Sequence, residues 1–330
     1  MVGWLNRLQQ RVRSVGFVVA VVYKYVDDQG GYLAALITYY AFVSLFPLLL
    51  LSTTVLGVVL VGHPQLQHEI LHSALSEFPV IGEQLGQPRQ LSGGVTAVVV
   101  GIAGALYGVL GVGQAVQNAM DTVWAVPRHR RPDPVRSRVR SLLLLIVLGS
   151  AAIAATVISA IGRAAQSLGW WGSAGCLLAA VAINMGICLV VFRVSTARAL
   201  SFAQVLPGAL VAAVMWQLLQ WFGAGYVAHT VRTASATNGV FALVLGLLAF
   251  LFLVSTTLVM CAEINVVRVD RLYPRALLTM FIDDAELTAA DRETYARRAK
   301  AEQVKTFEQV EVSFDEPDPA TEEGPAPARP

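Results

Sequence analysis

The chain has 330 residues, of which 55% are hydrophobic and only 14% charged, with a formal net charge of +2. Its positive mean hydropathy excludes a pair of ordinary soluble domains and places it among membrane proteins. Its three cysteines, Cys176, Cys188 and Cys261, all lie in apolar stretches, a pattern that points to neither a disulfide framework nor a zinc cluster.

At the N-terminus Arg7, Arg11 and Arg13 precede a short apolar run from Val15 to Val22, which Lys24, Asp27 and Asp28 close. With no A-x-A site behind it, this run is not expected to be a cleaved signal. Trp4, Leu8, Val12, Val15, Val19 and Val22 recur at spacings of three and four, so residues 1–30 are expected to hold an amphipathic helix in the cytoplasmic interface.

A bilayer core of about 30 Å takes about 20 apolar residues in helix, because each backbone amide in lipid must be paired within its own segment. Six stretches meet this length, at about 33–61, 95–117, 142–161, 174–192, 205–227 and 240–262. The expected fold is all-α, with a six-helix transmembrane domain over 31–265 and a cytoplasmic tail over 266–330. Arginines alternate between the loops. Arg128, Arg130, Arg131, Arg136, Arg138 and Arg140 fill the second, Arg193 and Arg198 flank the fourth, and Arg268, Arg271 and Arg275 follow the last span. The first, third and fifth loops hold one arginine each, so both termini are expected in the cytoplasm of a plasma or inner membrane.

Within the spans, Gly101, Gly104, Gly108 and Gly111 share one helical stripe, which suits close packing of two backbones. Pro47 cannot donate to the Val43 carbonyl and should kink the first span, with Ser44 nearby as a compensating group. Tyr39 and Tyr40 on the first span, Gln117, Asn118 and Asp121 on the second, and Glu263 on the sixth all lie toward the cytoplasmic end. They form a candidate polar vestibule, against the simpler reading that Asp121 and Glu263 pair with loop arginines. Asn184, Gln217 and Gln220 read as interhelical hydrogen-bonding groups.

His68-Glu69-Ile70-Leu71-His72 matches H-E-x-x-H. On a helix His68 and His72 would share a face for zinc, with Glu69 as base on the bound water. A third ligand is missing at the usual spacing, where Phe78 stands, and the simpler reading is the solvated face of an external amphipathic helix. The arginine-rich second loop is explained by topology and by contact with anionic headgroups, so no nucleic-acid partner is expected. In the tail, Thr288 and Asp291 suggest a capping box opening a short helix over about 288–303, and the Asp/Glu/Pro/Ala-rich segment from Ser313 is expected to be disordered.

Four segments together resemble the YihY/BrkB-like membrane proteins, once labelled ribonuclease BN: LITYYAFVSLFPLLLL around Tyr39 and Pro47, QNAMDTVW ending at Trp124, LPGALVAAVMWQLL around Pro207 and Gly208, and CAEINV around Glu263. This sequence departs from the family at Asn238-Gly239, where Tyr-Gly is usual, and at Cys261, where Gly is usual. The resemblance implies a six-helix inner-membrane protein without a catalytic signature, for which the ribonuclease label is a misassignment. The family's molecular activity is undefined, and the clustering of polar residues at one membrane depth leads to the expectation of a non-enzymatic membrane protein that transports or handles a lipid or solute and needs no cofactor. Its expected partners are membrane lipids and that unidentified substrate. Assembly into a homo-oligomer and the zinc protease alternative are left open.

Overall fold

In the computed structural model, residues 12–59, 95–147, 150, 170–233, 236–276 and 287–314 are described. Among them helices dominate and there is no strand. In chain order they are α1 (Arg13–Asp27), α2 (Gly30–Val59), α3 (Val95–Val123), α4 (helical over 134–147), α5 (Trp170–Val194), α6 (Phe202–Thr233), α7 (Ala236–Val269) and α8 (Ala289–Ala301). A single 3-10 turn, Arg128–Arg130, follows α3.

Three of these helices contain stretches long and apolar enough to cross a membrane: Ala174–Val194, Phe202–Gly223 and Val244–Val269. The first two spans expected from the sequence fall on α2 and α3. Most of the third, at 142–161, and the H-E-x-x-H segment lie outside the described residues, as do the tail beyond 314 and Trp4 and Leu8. Large apolar side chains on the long helices stay uncovered, among them Leu178, Trp221, Phe222 and Phe241. Acyl chains would cover such surfaces in a bilayer.

α7 is the axis of the bundle, touching α1, α2, α3 and α6. The main core joins Met120 and Val123 of α3, Phe192 of α5, Val205 and Ala209 of α6, and Val259 and Val266 of α7. α2 lies along the glycine stripe of α3, where Gly104 faces Pro47, Gly108 faces Ser44 and Gly111 faces the Tyr40 ring. Gly101 has no described surroundings. Thr38 of α2 donates to the Ala34 carbonyl at 2.8 Å, and its hydroxyl oxygen lies 3.2 Å from that of Ser255 on α7. α2 continues through Pro47, and the Ser44 hydroxyl donates to the Ala41 carbonyl at 2.8 Å, not to the Val43 carbonyl that proline leaves without its usual donor.

The same problem arises in α6 and is met from a neighbouring helix. Pro207 leaves the Ala203 carbonyl without its usual helical donor, and Arg268 of α7 reaches that carbonyl at 3.5 Å. One residue on, the Gly208 amide donates to Asn265 Oδ1 at 2.7 Å. The contact is close enough that a Cβ at position 208 would stand 2.2 Å from the Cys261 carbonyl oxygen. Both α3 and α7 end in left-handed residues, Ala125 (φ 48°) and Arg271 (φ 55°), with the crossed backbone bonds Val126 N to Asp121 O and Leu272 N to Val267 O.

Two outcomes follow in detergent thermal melts. Gly208→Ala should cost about 1–3 kcal/mol, since a backbone carbonyl must move, whereas Gly31→Ala, with open space at its Cβ, should leave the midpoint within error. Ala125→Gly should raise stability by about 1 kcal/mol by relieving the left-handed penalty.

Candidate functional site

The charged cluster starts at the C-terminal end of α1. Lys24 closes a valine-rich run, and one helical turn later comes Asp28, the spacing at which two side chains on a helix meet. The Lys24 ammonium donates to the Asp28 carboxylate and to the Val123 carbonyl at the end of α3, at 3.1 Å. It also lies 3.6 Å from Glu263 Oε2 on α7. All three side chains are buried, Glu263 completely. Apart from Lys24 and Asp28, no described group donates to either Glu263 oxygen. Burial opposes the charge on Lys24, but the fields of Glu263, Asp28 and Asp27 outweigh it and hold the ammonium above its ordinary pKa. Burial also pushes Asp28 up, against the pull of Lys24.

A second buried cation braces this junction. Arg275, with no exposed surface, donates to Asp27 at 2.8 Å and to Asp291, and its guanidinium lies 5.9 Å from the Tyr23 ring and 5.5 Å from that of Tyr295. Asp291 is at once the N-terminal cap partner of Thr288 and the acceptor of the Ala276 amide at 3.0 Å. Arg275 therefore ties α1 and α8 to the chain leaving α7. Farther out, Arg198 grips Asp270 with two bonds of 2.9 Å and stacks on Trp124, while Arg297 of α8 shares the same carboxylate.

The six residues of the sequence-predicted vestibule take up separate partners. Glu263 joins Lys24 and Asp28. Asp121 Oδ1 accepts from the Ala197 amide at 2.7 Å and the Thr196 hydroxyl at 3.1 Å, which fastens the α5–α6 connection to α3. Gln117 clamps α3 to α4 through Ser137 and Ser141. Asn118 is exposed and accepts from Arg131 at 3.1 Å. Tyr40 packs on Gly111, and Tyr39, its edge against Tyr40, is 56% exposed.

Among the described residues no group of three His, Cys, Asp or Glu side chains is placed to hold a metal, and His68, Glu69 and His72 are not among them. Lys24, Asp28, Arg275 and Asp291 escaped the sequence reading as site residues. For Lys24 and Asp28 the local signal is their four-residue spacing at the end of an apolar run, and for Asp291 it is the capping box with Thr288.

Long apolar helices with charges buried where they converge define a multi-helix membrane protein. Residues 21–279 match the family described as Virulence factor BrkB, and the chain belongs to that family. An uncharacterized protein of Dickeya dadantii (strain 3937) is 22% identical over 285 residues, covering 79% of this chain and 85% of that protein. A UPF0761 membrane protein of Stenotrophomonas maltophilia (strain K279a) is 24% identical over 272 residues, again 79% of this chain. Its counterpart in strain R551-3 matches to the same extent, and the chain spans 63% of the length of each Stenotrophomonas relative. No solved structure matches. None of these names specifies an activity, neither protease nor ribonuclease.

The hydrogen bonds at Asp121 predict a graded response. Asp121→Ala, which strands the Ala197 amide, should cost about 1–3 kcal/mol in a thermal melt, and Asp121→Asn, which keeps an oxygen acceptor, clearly less. Arg275→Met should cost about 3–5 kcal/mol, because it leaves buried carboxylates without their cation.

Proposed function

We propose that the chain is a non-enzymatic plasma-membrane protein that moves or handles a lipid or a solute, through a six-helix domain with both termini in the cytoplasm. The observation that carries this reading is Glu263: a completely buried carboxylate that shares the Lys24 ammonium with Asp28, on a helix apolar enough to span a bilayer. Ionisable groups at such positions are costly, and membrane proteins keep them chiefly along substrate and ion paths.

The orientation has support of its own. The arginine-rich turn after α3, the α5–α6 connection and the chain after α7 meet at one end, through Arg140 to Thr196, Arg198 to Asp270 and Arg128 to Glu302. Loops assigned to the cytoplasm by their charge are thus neighbours. α1 turns Val15, Val18, Val22 and Val26 outward while its other face packs on α7, an arrangement suited to a helix lying in the interface.

The reading is tested in proteoliposomes carrying the full chain, with a fluorescent phospholipid in one set and entrapped polar solutes in another. Wild type should accelerate lipid exchange between leaflets or solute release over empty vesicles, and Glu263→Gln should bring that rate back at least tenfold toward the empty control. Wild-type rates equal to empty vesicles in both sets would overturn it.

A further inference from the structure

The Lys24–Asp28–Glu263 cluster has one cation for two carboxylates. Lys24 sits against Asp28 and 3.6 Å from Glu263, with none of the three side chains more than 5% exposed. Among the described residues nothing else packed around them makes up the missing charge. On α1, Asp27 is occupied by Arg275, which also serves Asp291. α3 contributes the neutral Val123 carbonyl, while its Asp121 is turned to Thr196 and Ala197. The Thr38 and Ser255 hydroxyls of α2 and α7 contact each other about two helical turns from Glu263, and the Gly208 amide of α6 is bonded to Asn265. On α7's C-terminal side Asp270 belongs to Arg198 and Arg297. From α8, the positive field of Arg298 reaches Asp28, but that side chain is exposed and its field is screened by water.

A net negative charge left in such a place is strongly disfavoured, and a carboxylate escapes that cost by keeping its proton. We propose that Asp28 and Glu263 form a single-proton site over Lys24, holding one exchangeable proton between two carboxylates and passing it to water when the cluster is hydrated. Only O–H bonds change: the proton leaves one carboxyl oxygen for the other or for a water molecule, and Lys24 keeps its own. The upward displacement of Asp28 by burial agrees with this arrangement. If the transport reading above holds, the proton is the ion coupled to cargo, and only that coupling rests on it.

The test is infrared spectroscopy of the full-length protein in lipid nanodiscs at neutral pH. Wild type should show the C=O stretch of a protonated, buried carboxyl that shifts in D2O, and the double variant Asp28→Asn/Glu263→Gln should lose it. Lys24→Met should increase the band about twofold, since both carboxylates then lose their counter-charge and protonate. No such band in wild type, or an unchanged band in the double variant, overturns the proposal. A band that behaves as expected, in vesicles that move neither lipid nor solute, keeps the proton site and removes the transport reading.

Discussion

Lys24 is an ammonium group cut off from water, and its neutralisation organises the end of the bundle around it. Three helices meet there because each supplies something it needs: α1 the Asp28 carboxylate, α3 the carbonyl of Val123, α7 the carboxylate of Glu263. A lysine that found only part of this set would draw water into the core or lose its charge. The chain after α7 then turns back under Arg275, whose two carboxylate partners come from α1 and α8. The short amphipathic N-terminal helix and the short C-terminal one are thereby joined to the long apolar helices by buried charge, beside an apolar patch of Ala20, Val21 and Val267 on which Phe17, Met260, Ile264 and Tyr273 pack.

Elsewhere the helices hold together by the means available in lipid, where apolar burial between helices gains little. α2 and α3 approach through glycines, and α6 and α7 approach at Gly208, where Asn265 and Arg268 complete the backbone that Pro207 interrupts. The motifs that carry the family resemblance gain a physical role here: the Pro-Gly of LPGALVAAV is received by the Asn of CAEINV, and the Glu of that same segment faces Lys24.

Much of this was legible from residue patterns, and the rest was not for a definable reason. Period and composition mark the stripe Gly104, Gly108 and Gly111, and a four-residue signature marks the Thr288–Asp291 cap, because both are local regularities. The partners of Glu263 and Arg275 are long-range: 239 positions separate Lys24 from Glu263 and 248 separate Asp27 from Arg275, and no periodicity links residues so far apart. Asp121 and Gln117 resemble vestibule residues in a linear reading because they share a depth with Glu263. Their hydrogen-bond partners, on the α5–α6 connection and on α4, become visible only when the helices are assembled.

The central claim is that Lys24 and Glu263 act as one unit across the α1–α7 junction. A double-mutant cycle with Lys24→Met and Glu263→Gln, read by thermal stability in lipid nanodiscs, addresses it directly. The account predicts strong non-additivity, with the double variant markedly more stable than the sum of the two single losses implies, because Glu263→Gln removes one of the two carboxylates that Lys24→Met alone would leave buried without a cation. Losses that simply add would contradict it.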